Sequence, residues 1–167
     1  MRKRVETEAR LDHPIERVFA YLADPLRWHV FAPAVVLRRQ LDDGRPGLGT
    51  RWAAVDRVGP LKVRFVDELV AYEPGRHVAW QSSAPWNART EYHCQPAGGS
   101  TMVRAIYDGD VDGWLKALSW APTRLIAWFL ARDLKRLDGV LTKERQAALH
   151  GDREPAASSE RVPPARA

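Results

Sequence analysis

The stretch "HPIERVFAYLADPLRWHVFAP" (residues 13–33) decides the architecture of this chain. Pro14 suits the first helical position, where a missing N–H costs nothing, and Ile15, Val18, Phe19 and Leu22 recur at the spacing of one helix face. The residue before a proline is pushed out of helical geometry, so the helix stops near Asp24. Leu26 to Phe31 then has room for one more helical turn before Pro33. The stretch therefore predicts two short helices with a bend between them. Such a pair can close one end of a curved sheet where a single straight helix could not.

Upstream, Val5, Thr7, Ala9 and Leu11 alternate with Glu6, Glu8, Arg10 and Asp12, the period of a half-buried strand. Downstream, strand-like runs occupy 34–41, 50–57, 61–72, 76–83, 87–95 and 101–111. Turn signals separate them: Asp43-Gly44, Gly59-Pro60, Glu73-Pro74-Gly75, Ala84-Pro85 and Gly98-Gly99. Seven strands on short connections, with no helix of crossover length between them, imply an antiparallel meander. In the run 61–72, Leu61, Val63 and Phe65 favour one face while Val66, Val70 and Tyr72 favour the other, which calls for a bulge. From Pro122 the period becomes helical, with Ile126, Leu130, Leu134, Leu137 and Leu141 forming one stripe. A helix running to about 148 would be roughly 40 Å long, enough to cross the whole sheet. Residues 149–167 carry Pro, Ala, Ser and charge with almost nothing to bury, so the expected domain is 1–148 followed by a disordered tail.

Four segments in this order, "HPIERVFAYLADPLRWHVFAPAV" after the first strand, "GLGTRW" at 47–52, "VAYEPGRHVAW" at 70–80 and the leucine-striped helix, resemble the SRPBCC or START–Bet v 1-like superfamily of its polyketide cyclase/dehydrase type. The resemblance covers roughly residues 4–147. It implies an α+β helix-grip fold: a curved seven-stranded antiparallel sheet around a long C-terminal helix, with a cavity between them. It also implies that the loop holding Gly47 and Gly49 borders the mouth of that cavity.

The formal charge is +5, but Arg2, Lys3 and Arg4 supply three of those charges and the remainder are scattered among acids, so no phosphate-tracking surface is expected. Cys94 is the only cysteine, which rules out an internal disulfide and sets a cytoplasmic expectation. The segment Trp114 to Ala131 is too interrupted by Lys116, Pro122 and Arg124 for a membrane span.

Aromatics fall at alternating strand positions and on the last helix. Any one of them is explained by core packing, but several buried Trp and Tyr tips together need polar partners, which suits a pocket. The expected lining is Phe31, Trp52, Phe65, Trp80, Tyr92, Tyr107, Trp114 and Trp128, with Tyr92 and Tyr107 as its polar groups. By strand alternation Tyr92 and His93 cannot both face inward, and neither can Arg104 and Tyr107 without a bulge, so no residue pair is forced. "YDGDVDG" at 107–113 begins like a calcium loop but has Ser119 where a glutamate is required. The five histidines show no close metal spacing, and Cys94 is read as a small strand residue rather than a nucleophile. No metal or cofactor is expected. The first functional reading is a binder of a small hydrophobic or aromatic metabolite, such as a polyketide, lipid or isoprenoid. The alternatives are a polyketide aromatase/cyclase or dehydratase in the same pocket and a lipid carrier acting at membrane surfaces. No catalytic motif is complete. A small apolar ligand is the expected partner, with no nucleic acid, no stable membrane insertion, and a monomer or weak homodimer.

Overall fold

The computed structural model describes residues 2–113, 116 and 122–151; Trp114 and the segment 152–167 lie outside them. Seven strands form one sheet: β1 (Lys3–Leu11), β2 (Val35–Gln40), β3 (Arg51–Val58), β4 (Leu61–Glu73), β5 (His77–Ser82), β6 (Ala88–Ala97) and β7 (Ser100–Gly109). Every neighbouring pair is antiparallel, in the order β1-β7-β6-β5-β4-β3-β2. The meander therefore runs unbroken from β2 to β7, and β1 closes onto β7. With the long helix α2 (Thr123–Gly151) lying along β1, this is a helix-grip α+β fold.

Helix α1 (Ile15–Leu22) begins after Pro14 and buries Val18, Phe19, Tyr21 and Leu22. A 3-10 helix, Pro25–Val30, follows at once. The Asp24 carboxylate accepts from the Leu26 amide at 3.0 Å, so the residue at the bend caps the second helix. Helix α1 packs against β6, β7 and α2, while the 3-10 helix packs against β2, so the bent pair spans the sheet.

The parity conflict in β4 is resolved by a register shift between Leu69 and Ala71. Val63, Phe65, Asp67, Leu69 and then Tyr72 thereby share one face, because residues directly opposite one another across a ladder point the same way. Following the register across the sheet, the helix-bearing concave face carries Leu11, Val103, Cys94, Tyr92, Val78, Trp80, Asp67, Phe65, Trp52, Ala54 and Arg38.

One end of that face is dry. Leu134, Leu137 and Leu141 of α2 are buried there with Leu11, Val18, Leu22 and Val103. Around it, polar groups pin α2. The buried His13 ring nitrogen Nε2 sits 3.0 Å from Thr142 Oγ1 and 3.2 Å from the Asp138 carbonyl, and Thr101 Oγ1 donates to the His13 carbonyl at 2.8 Å. Arg17 and the Tyr21 hydroxyl both reach Glu144.

Candidate functional site

The other end of the concave face holds charge. Arg38 of β2 lies in phase with Ala54 and Trp52, so its guanidinium is driven inward and its side chain is only 4% exposed. Nη1 donates to Asp56 Oδ1 at 2.8 Å, and Nε lies 3.2 Å from Asp67 Oδ2. That second contact attracts by charge but is misaligned for a hydrogen bond, so Nε and Oδ2 both keep bonding capacity. Ser82 Oγ donates to the remaining Asp67 oxygen at 2.6 Å.

Aromatic rings enclose the pair. The guanidinium lies 5.3 Å from the ring centres of both Trp28 and Phe65, within cation–π range. Trp28 meets Trp80 edge-on at 5.0 Å, and Phe65 meets Trp86 edge-on at 6.3 Å. The Trp28 indole donates to the Leu22 carbonyl, whereas the indole N–H groups of Trp52, Trp80 and Trp86 have no partner among the described residues. Three indole donors, one guanidinium N–H and one carboxylate oxygen are thus left without partners among the described residues in the aromatic-rich region around Arg38. Buried polar groups are normally satisfied, so a cluster of exceptions calls for an explanation.

The electrostatics follow from burial. The Asp67 carboxyl is pushed up to about 6 as the net of desolvation, which raises it most, the opposing pull of Arg38 and the Ser82 hydroxyl, and a smaller push from Asp56. Asp56 is also raised by burial, against the pull of Arg38. Tyr92 is raised well above the ordinary phenol range by burial first and then by the carboxylates of Asp133 and Asp67. Its hydroxyl is therefore a donor at any physiological pH. Cys94, buried on the same face, is pushed up to about 12 by burial alone, so it is a thiol and not a nucleophile.

A family model described as polyketide cyclase / dehydrase and lipid transport matches residues 2–142. The chain belongs to this family. Its solved neighbours share the fold. Zhui aromatase/cyclase from Streptomyces sp. R1128 superposes with TM-score 0.74 at 16% identity, covering 89% of this chain and 98% of the other. TTHA0849 from Thermus thermophilus does so with TM-score 0.67 at 19% identity, covering 82% and 95%. Ara h 8.0201 does so with TM-score 0.61 at 11% identity, covering 86% and 99%. A search of the curated proteins found no match.

Within this family member, the expected pocket residues have four different placements. Trp52, Phe65, Trp80, Tyr92 and Tyr107 all lie on the concave face, and the first three surround Arg38 and Asp67. Phe31 instead packs edge-on against Tyr21 at 6.4 Å; of the two aromatics after the first helix, Trp28 is the one that touches Trp80 and the guanidinium. Trp128 is a correction: it is 54% exposed. A helix turns about 100° per residue, so Leu125, Trp128, Phe129 and Arg132 lie opposite the Leu134–Leu137–Leu141 stripe. Arg132 stacks over both rings, at 5.0 and 4.7 Å. Trp114 lies outside the described residues.

In the loop between β2 and β3, the Gly49 amide donates to the Leu69 carbonyl at 2.8 Å, and φ of +82° at Gly49 is the left-handed region that favours glycine. The Gly47 amide donates to Thr50 Oγ1. The acidic run from the end of β7 onward has partners: Asp108, inside β7, pairs with Arg2 at 2.5 Å, and Asp112, beyond it, accepts from Asn87.

Arg38, Asp56 and Asp67 were missed by reading aromatics alone. The signal was present: Asp56 is in phase with Trp52 and Ala54, and Asp67 with Val63 and Phe65, so each charge sits where the apolar stripe demands a hydrophobe. Strand pairing also brings together residues that sequence spacing kept apart, since His77 lies directly opposite His93 on the convex face.

Proposed function

We propose that this family member binds a small, largely apolar aromatic or polyketide-like metabolite that carries at least one hydroxyl or carbonyl oxygen. The Arg38 and Asp67 pair would fix that polar end, and Trp28, Trp52, Trp80 and Phe65 would clasp the rings. The carrying observation is the unsatisfied Nε of Arg38 and Oδ2 of Asp67 inside an aromatic enclosure with three unpartnered indole donors. A purely apolar ligand would leave all of them unmet, at a cost of about 1–3 kcal/mol for each buried group. The loop of Gly47 and Gly49 would border the entry.

The test is titration with emodin, a hydroxylated anthraquinone, followed by quenching of tryptophan fluorescence, with anthraquinone as the unhydroxylated comparator. The double variant Arg38→Met, Asp67→Asn removes the inner charge pair together and leaves only the partly exposed Asp56, whose carboxyl is already inclined by burial towards the protonated form. Emodin should bind the native chain, and the double variant should weaken it by about tenfold or more, equivalent to at least ~1.4 kcal/mol, while anthraquinone changes little. Equal emodin affinity in both proteins would refute the assignment.

A second reading is favoured by the Asp67 carboxyl, whose proton affinity is held near physiological pH beside a fixed cation. In an aromatase, cyclase or dehydratase, Asp67 would take a proton from the carbon next to a ketone while Arg38 stabilises the enolate oxygen, and the same carboxyl would return the proton to a departing hydroxyl. Turnover of a linear poly-ketone analogue should then fall at least ~100-fold in Asp67→Asn while emodin binding persists. Unchanged turnover would remove Asp67 from any chemistry.

A further inference from the structure

The convex face of the sheet, opposite the aromatic enclosure, carries a second constellation. His77 on β5 and His93 on β6 are direct cross-strand partners, and Glu91 lies two residues before His93 on the same face. The imidazoles stack with ring centres 4.2 Å apart and planes within 6°. Between them stands one oxygen: Glu91 Oε2 is 3.1 Å from His77 Nε2 and 3.4 Å from His93 Nε2. The other oxygen, Oε1, accepts from Arg89 Nε at 2.7 Å, which fixes the carboxylate plane and leaves Oε2 directed at the rings.

We propose that His77, Glu91 and His93 form a binding site for a divalent transition-metal ion of the Zn²⁺, Co²⁺ or Ni²⁺ class, joining β5 to β6 on the outer face of the sheet. The three donor atoms already lie within 4.8 Å of one another. Ligands at the ~2.1 Å bond lengths of imidazole nitrogen and carboxylate oxygen stand about 3.4 Å apart around a tetrahedral ion, close to the two separations observed. Two imidazoles with one carboxylate suit this class rather than Mg²⁺ or Ca²⁺, which prefer all-oxygen shells. Arg89 plays the outer-shell part that orients a ligating carboxylate. The side chains are partly exposed, His93 at 39%, so an ion has a direct approach from solvent. Three protein ligands leave at least one coordination position for water or a further donor. The required motion is small: the parallel rings must tilt so that their Nε2 lone pairs converge.

The experiment is isothermal titration of the untagged full chain with ZnCl₂ near pH 7.5, above the ordinary imidazole range, paired with visible absorption after Co²⁺ addition. One equivalent should bind with a tetrahedral cobalt band, and melting should rise by about 5 °C at saturating zinc. His93→Gln, at the most exposed ligand, should weaken zinc at least tenfold with unchanged circular dichroism, and Glu91→Gln should do likewise. His29→Gln, at an exposed histidine outside the cluster, should leave binding unaltered. The assignment is overturned by the absence of a saturable one-to-one zinc site, or by zinc affinity that survives His93→Gln and Glu91→Gln. His77 is the most enclosed of the three, so the outcome does not depend on a variant there.

Discussion

The two ends of the concave face belong to one sheet, the first over β1 and β7 and the second over β2 to β5, and have opposite physical chemistry. At one end, Leu134, Leu137 and Leu141 of α2 fill the space against Leu11, Val18, Leu22 and Val103, and the polar groups stay at the margin, where His13, Tyr21 and Arg17 hold the helix. At the other end, charge lies in the middle and aromatics surround it, with donors left over. The first end is mostly apolar, and His13 Nδ1 is the buried polar atom there without a partner among the described residues. The second keeps buried charge and unpartnered donors that a purely apolar core would lack, and the proposed binding function rests on that difference.

The largest expected effect is at the dry end. Leu137 is fully buried, and Leu137→Ala should lower stability by about 2–5 kcal/mol in urea unfolding, through lost transfer energy and a residual cavity. Emodin affinity, measured where the variant is still folded, should hardly change, because the two ends carry separate tasks.

At the polar end, Arg38→Met alone strands Asp67 and Asp56 without their cation. It should cost roughly 3–5 kcal/mol at pH 7, and adding Asp67→Asn should recover much of that. A single variant as stable as the native chain would mean that the ion pair contributes nothing to the buried charge balance.

The pH dependence is smaller and has a definite sign. Asp67 titrates near 6 in the folded chain, above its unfolded value of 3.8, so the native state holds its proton more tightly. The contribution is fully present below about pH 3.8 and is lost as pH rises through 6, amounting to ~3 kcal/mol for a shift of about two pK units. The difference in stability between the native chain and Asp67→Asn, followed from about pH 4 to 7, should show that fall. A flat difference would mean that Asp67 is ionised as easily folded as unfolded.

The same contrast explains how far the sequence could be read. Periods of 2 and 3.6 show plainly in Val5–Leu11 and in the Leu134–Leu141 stripe, and Asp24-Pro25 announces its own helix break, so element order and the grip of α2 were legible. The β4 bulge was legible too, as a parity conflict. The faces of Trp52, Phe65, Trp80, Tyr92 and Tyr107 were not legible, because alternation relates residues within one strand and only the pairing register relates one strand to the next. Trp128 misled because aromatic character was weighed above its angle to the leucine stripe, which sets it facing outward. Trp28 lies in the short 3-10 helix and Phe31 at its end, a stretch too brief for a period to assign a face. The Arg38 to Asp67 contact joins residues 29 apart, and the His77 to His93 contact depends on the register of the β5–β6 ladder; neither is visible until strands are paired.

The central claim is that the polar end of the concave face receives the ligand. Its most direct test is the ¹H–¹⁵N spectrum of the tryptophan side chains during emodin titration, since each indole N–H gives its own signal. The indole resonances of Trp52, Trp80 and Trp86 should shift most, as their unpartnered N–H groups meet the ligand, while that of the outward-facing Trp128 stays in place. Shifts concentrated at Trp128 with the three buried indoles unmoved would contradict the account.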